Sequence, residues 1–130
     1  MKKEFFNPTE LRASPFYTHA VSVTGGRLIY VAGQVAYDGD GKVVGKGDMR
    51  AQSEQVFANV THALRAAGAT WDNVIKMNGY MVGLNPAAVD AYREVRSRYL
   101  KSLPASTLVG VDRLVEEDLL LEVEVIAAVD

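Results

Sequence analysis

The stretch Val74–Val111, "VIKMNGYMVGLNPAAVDAYREVRSRYLKSLPASTLVGV", decides the fold. Its first nine residues, Val74 to Val82, are rich in strand formers and predict a strand. Asn85-Pro86 is a helix start, with asparagine as the cap and proline at the first helical position, where its missing N–H costs nothing. Val89, Tyr92, Val95 and Tyr99 then trace a stripe along a helix ending near Lys101, with Arg93, Glu94, Arg96 and Arg98 off it or at its edge. Pro104 and Ala105 close that segment, and Thr107 to Val111 reads as the next strand.

Working outward, Asp48 caps a second helix from Met49 to about Ala67. Met49, Val56, Val60, Ala63, Leu64 and Ala67 share one face, with Phe57 beside them, and Gly68 ends it. "TWDNV" (residues 70–74) is a short connector. Further upstream, Tyr17 to Val23 and Arg27 to Ala32 predict strands joined as a hairpin at Gly25-Gly26. Gly33 marks a bulge or a close backbone approach, and "QVAY" runs into a turn at "DGDG" (residues 38–41). At the other end, Leu119 to Val129 is the longest and most apolar strand. The order β-β-α-β-α-β-β predicts an α+β domain over residues 1–130, with two helices on one face of a mixed sheet.

Composition narrows the function classes. With 130 residues, 48% of them hydrophobic and 23% charged, the chain is an ordinary globular domain, short enough that oligomerisation often completes its burial. Fourteen basic against 16 acidic residues argue against a nucleic-acid partner, which needs a clustered basic surface. No cysteine is present, so thiolate catalysis and cysteine metal sites are excluded. No stretch has the apolar core of a signal peptide or the length of a membrane span, and a cytoplasmic protein is expected.

Glu122 and Glu124 are the best acid/base candidates. Two apart in a strand, they share one side of the sheet, where repulsion can split their pKa values. Such a pair can equally lie on a solvated face or meet arginines across a subunit contact. Tyr17 can hang its hydroxyl over a cleft or simply pack. His19 and His62 lack metal-ligand spacing, so no metal is expected. Ser106 and Thr107 have no nucleophile elbow or triad around them, and turn hydrogen bonding is their ordinary use. Arg93 and Arg96 are the residue type that grips a carboxylate with two hydrogen bonds; Asp90 and Glu94 are alternative partners on the same helix. Gly33 and Gly110 lack phosphate-loop spacing.

In order along the chain, "NPTEL", "SPFYTHAVSV", "YVAGQ", "AQSEQVFANV", "AAGATWDNVIK", "PASTLVGV" and "EVEVIA" resemble the RidA (YjgF/YER057c) family over nearly the whole length. The resemblance implies a chorismate-mutase-like α+β fold and a homotrimer with ligand clefts between subunits. It also implies cofactor-free hydrolysis of enamines and imines, such as 2-aminoacrylate, to keto acids and ammonia. In that chemistry an arginine holds the substrate carboxylate and a glutamate-linked water attacks the imine carbon. Tyr17, Glu122, Glu124 and the Gly33-Gln34 pair match the family pattern. Three positions depart from it: the family arginine falls on Ser106, the serine before Gly-Gln is Ala32, and the second-helix asparagine falls on or near Arg93. Serine cannot replace a bidentate guanidinium contact. The expected site is therefore Glu122 and Tyr17 for catalysis, with Arg93, Ser106, Thr107, Ala32, Gly33 and Gln34 around the substrate and Arg93 preferred over Arg96 as the new grip. The alternative is a non-catalytic relative that binds a small metabolite in the cleft. The ribonuclease label of some relatives is the weakest reading, given the acidic balance and the absence of a histidine pair.

Overall fold

A computed structural model describes residues 1–130. Its strands are β1 (Lys2–Phe6), β2 (Ala20–Thr24), β3 (Arg27–Gln34), β4 (Val74–Val82), β5 (Ala105–Val111) and β6 (Leu121–Val129), and its helices are α1 (Met49–Ala66) and α2 (Pro86–Ser97). A 3-10 turn, Trp71–Asn73, precedes β4. The main sheet has the order β3-β6-β4-β5; β4 and β5 are parallel, joined by α2, and the other pairs are antiparallel. The fold is α+β, two helices on a mixed sheet, as the sequence predicts.

Both helix starts follow from their caps. The Asp48 carboxylate accepts from Ala51 N at 3.0 Å, and the Asn85 side-chain oxygen accepts from Ala88 N at 2.9 Å. The core lies between the helices and one sheet face. Phe57, Val60 and Leu64 of α1 and Val95 of α2 meet Met77 and Met81 of β4 and Leu121, Val123 and Val125 of β6, all buried. Phe57 stacks on Trp71 at 5.1 Å and on Tyr99 at 5.3 Å between ring centroids. Truncating a fully enclosed phenylalanine of this kind costs about 3–5 kcal/mol.

Four expectations are corrected. Arg27–Gln34 does not form a hairpin with the preceding strand: β2 pairs with β1 in a separate two-stranded sheet, and β3 pairs with β6. Gly25 and Gly26 do turn the chain, with φ of +75° and +81°, but a Cβ on Gly26 would meet the Val129 carbonyl oxygen at 2.6 Å. The turn is thus packed against the end of β6. The strand expected from Tyr17 begins only at Ala20, and β1 went unpredicted. Helix α2 stops at Ser97, before Lys101, although Tyr99 still reaches the core from the following turn. The buried face of α1 also includes Gln52 and Ser53.

Gln52 ties the helix to the strand that carries the glutamates. Its amide donates to the Asp118 carbonyl at 2.7 Å and the Gly45 carbonyl at 3.2 Å, and its oxygen accepts from Leu120 N at 2.8 Å. A buried amide so satisfied fixes the entry of β6 to α1. No helix is long and apolar enough to cross a membrane.

Candidate functional site

Strand alternation sends the named residues to two faces of the sheet. Leu121, Val123 and Val125 point into the core, so Glu122 and Glu124 emerge on the opposite, open face. The register aligns Tyr80 with Glu122 and Asn78 with Glu124. Glu124 is held through one oxygen: its Oε1 accepts from the Tyr80 hydroxyl at 2.5 Å and from the Asn78 amide at 3.2 Å. That hydrogen bond raises the Tyr80 pKa above the usual tyrosine value. Glu122 receives no such contact from the tyrosine or the asparagine.

Glu122 lies instead against Gly33. A Cβ on Gly33 would overlap Glu122 Oε2 and stand 2.7 Å from its Cδ and 2.9 Å from its Cγ, so only glycine leaves the carboxylate where it is. The ladder breaks here: Val31 pairs with Val125, and Gln34 with Val123. Three β3 steps thus span two of β6, and Ala32 and Gly33 form a bulge. The bulge and the close approach expected at Gly33 are both present. The Gln34 amide donates to the Ala32 carbonyl at 3.1 Å. Ala32, Tyr30, Lys76, Asn78 and Glu124 border an open concavity of about 420 Å³. Thr107 belongs to this face as well, its hydroxyl accepting from Lys76 Nζ at 3.1 Å.

Ser106 points the other way, toward α2. It pairs in register with the buried Met77 and lines a cavity of about 320 Å³ with Phe16, Tyr17, Tyr92, Arg93 and Arg96. The 14–18 segment is held there by Thr18, whose N–H donates to the Pro104 carbonyl at 3.0 Å and whose hydroxyl donates to the Leu103 carbonyl at 2.6 Å. Tyr17 meets His19 edge-on at 5.2 Å, and His19 Nε2 stands 2.7 Å from the Arg12 carbonyl oxygen. The histidine thereby braces the tyrosine's segment. The Arg93 guanidinium lies over the Phe16 ring, 3.9 Å from its centroid, a cation–π contact.

Neither cavity arginine has an acidic partner. Glu94 binds Arg50 at 2.8 Å and Arg98 at 3.5 Å, and Glu54 binds Arg98 at 3.2 Å. Arg93 and Arg96 form no ion pair, and no carboxylate lines the cavity. Arg96 is 5% exposed. Burial lowers the pKa of its guanidinium, the facing Tyr92 hydroxyl opposes that shift, and the charge of Arg93 adds to it. Burial pushes Tyr92 up to about 12, against the pull of Arg96. Arg96 is the residue that sequence reasoning undervalued. The stripe of Val89, Tyr92, Val95 and Tyr99 leaves it off or at the edge, whereas it is buried one turn from Tyr92.

Within one chain, then, Tyr17, Arg93 and Ser106 come together beside α2, and Glu122, Gly33, Gln34, Ala32 and Thr107 belong to the far face. That face also exposes Tyr30 (72%), Leu28 (48%) and Val109 (41%).

Comparison with known proteins gives a consistent family. The model of the family described as Endoribonuclease L-PSP matches residues 8–129. A RutC family protein of Pyrococcus abyssi is 36% identical over 120 residues, 92% of each chain. A 2-iminobutanoate/2-iminopropanoate deaminase of Dermatophagoides farinae is 27% identical over 124 residues, 94% of each chain. The crystal structure of a conserved Rid family protein of unknown function from Yersinia pestis superposes with a TM-score of 0.91 at 35% identity, covering 99% of this chain and 100% of that one.

Proposed function

The chain belongs to the Endoribonuclease L-PSP (RidA/YjgF) family, and on that premise we propose that it is a cytoplasmic hydrolase of small 2-imino or enamino acids. It works as a homotrimer whose clefts are shared between neighbouring copies. The observation that carries this reading is the cavity beside Ser106, which offers two guanidiniums and no carboxylate. A cation unpaired in a cavity favours an anionic ligand, and a substrate carboxylate supplies one. Arginines of α2 would thus take over the grip that the family places at position 106. The separation of Tyr17 and Arg93 from Glu122 within one chain supports a composite site, in which the open face of one copy meets the α2 cavity of the next. The apolar exposure of Tyr30 and Leu28 on that face supports such a contact.

In the proposed reaction the Arg93 guanidinium holds the substrate carboxylate and Tyr17 walls the cleft. Glu122, left without the donors that occupy Glu124, orients a water molecule and accepts its proton as the oxygen attacks the imine carbon. The nitrogen of the tetrahedral adduct takes that proton from Glu122; the carbinol hydroxyl then passes its own proton, by way of Glu122, to the nitrogen as the C–N bond breaks, so that ammonia leaves and the C=O of the keto acid forms. Water is the only co-reactant.

The test is ammonia release from freshly generated 2-aminoacrylate and from bulkier imino acids, for the wild type and Glu122→Ala. The expected result is acceleration over spontaneous hydrolysis that disappears in the variant. No acceleration on any of these substrates would overturn the reading in favour of a trimer that binds a small metabolite without turning it over.

A further inference from the structure

The cavity beside α2 contains more positive charge than a single carboxylate requires. Arg96 is at its buried end, with the Tyr92 hydroxyl as its neighbour. Arg93 is half-buried and stacked on Phe16. The two are close enough that the charge of Arg93 depresses the pKa of Arg96. No acid answers either arginine: Glu94 and Glu54 serve Arg50 and Arg98 on the exposed side of the helices, and Asp90, on the same helix, is exposed, forms no ion pair and does not line the cavity. Of the remaining lining residues Leu84, Val89 and Leu108 are apolar, and Ser106 and Tyr17 bring only neutral hydroxyls.

A low-dielectric wall strengthens repulsion between like charges, and each guanidinium seeks a planar anion that can take two hydrogen bonds. A monocarboxylate that pairs with one of them leaves the other uncompensated. A ligand with two carboxylates pairs with both, one at the Arg96 end and one at Arg93. The cavity volume of about 320 Å³ is at the small end of ligand cavities, which run from about 300 to 1,000 Å³. It suits a short-chain diacid better than a nucleotide or a long acyl chain.

We infer that the substrates of this site are 2-imino dicarboxylic acids of four or five carbons, with Arg96 and Arg93 each holding one carboxylate. This rests on the hydrolase reading for the word imino, and on the arginine pair alone for the word dicarboxylic. Arg96 is in this account a specificity-determining residue, since it separates diacids from monoacids.

The test measures binding by calorimetry, with stable keto acids as probes and no turnover involved. 2-Oxoglutarate, and succinate as a four-carbon diacid without the keto group, are compared with 2-oxobutanoate and pyruvate, and inorganic phosphate serves as a compact anion. The expected result is that 2-oxoglutarate binds at least about tenfold more tightly than 2-oxobutanoate, the scale of one added charge-assisted contact. Arg96→Met and Arg93→Met each abolish that preference, Arg96→Lys retains part of it, and Arg98→Met leaves it intact because Arg98 already has its acids. Should Arg96→Met fail to fold, Arg96→Lys and Arg93→Met decide. Equal affinity for diacid and monoacid, or phosphate binding more tightly than either, overturns the inference. Turnover of monocarboxylic imines without a diacid preference overturns this inference and spares the hydrolase. A diacid preference without ammonia release does the reverse.

Discussion

Replacing Arg96 by methionine should make the unliganded protein more stable. Methionine keeps a similar apolar stem and removes a cation that is 5% exposed and has no acidic partner. Exchanging buried ionic groups for packed apolar ones gains about 1–4 kcal/mol in comparable cases. Against this, the Tyr92 hydroxyl loses the group that faces it, at a cost of about 1 kcal/mol. The net expectation is ~0–3 kcal/mol of stabilisation. For a chain of 130 residues, an unfolding entropy of about 2.1 cal/mol/K per residue makes 1 kcal/mol worth roughly 4 °C, so Tm should rise by up to about 10 °C. Calorimetric or circular-dichroism melts at matched protein concentration read this directly. The order should invert at saturating 2-oxoglutarate, because ligand binding stabilises only the protein that retains its grip. A Tm lowered by 4 °C or more in the absence of ligand would refute the reasoning, since it would make Arg96 a structural tie that needs no ligand.

Gly33→Ala should swing the Glu122 carboxylate aside and reduce imine hydrolysis to the level of Glu122→Gln, with a stability loss of no more than about 1.5 kcal/mol, the cost of an off-rotamer side chain. Steady-state ammonia release and a urea melt together check it. Alkaline melts should show the buried tyrosine: Tyr92 has a folded pKa raised from 10.0 to about 12, so between these values the unfolded chain binds fewer protons and stability falls as pH rises. Tyr92 should contribute about 2–3 kcal/mol of that fall, and Tyr92→Phe should lose this share while Tyr80 and Tyr37, also raised, keep theirs. Asp48→Ala removes the α1 cap and should cost about 1 kcal/mol in a urea melt, with activity unchanged under native conditions.

Local signals in the sequence were read well where local forces decide. The span of β4, the Asp48 and Asn85 caps and the alternation that puts Glu122 and Glu124 on one face all follow from side-chain pattern and backbone chemistry. The hairpin failed because Gly25-Gly26 specifies a turn, not a partner. β3 finds a longer, more apolar neighbour in β6, and β2 is left to β1. β1 went unseen because "KKEFF" is solvated on both faces and shows no alternation of apolar and polar residues. The α2 cavity was illegible for a similar reason. Tyr17 and Ser106 meet through the isolated bridge between Thr18 and Ala105, a pairing across most of the chain. Arg96 shares the buried face of α2 with Tyr92 and Val95, and the docked segment adds Phe16 and Tyr17 to the cavity it lines.

The fault in the β3–β6 ladder has a consequence for how this sequence can change. Val31 and Gln34 would pair with the same partners, Val125 and Val123, if the strand were one residue shorter. Hydrogen bonding alone therefore favours a deletion between them, and the shortened sheet would be the more regular one. What the extra residue maintains is the vacancy over which Glu122 lies. A lineage relieved of the need for that carboxylate would be free to close the gap, so the length of this segment, more than the identity of any one side chain, should record whether the proposed chemistry has been kept.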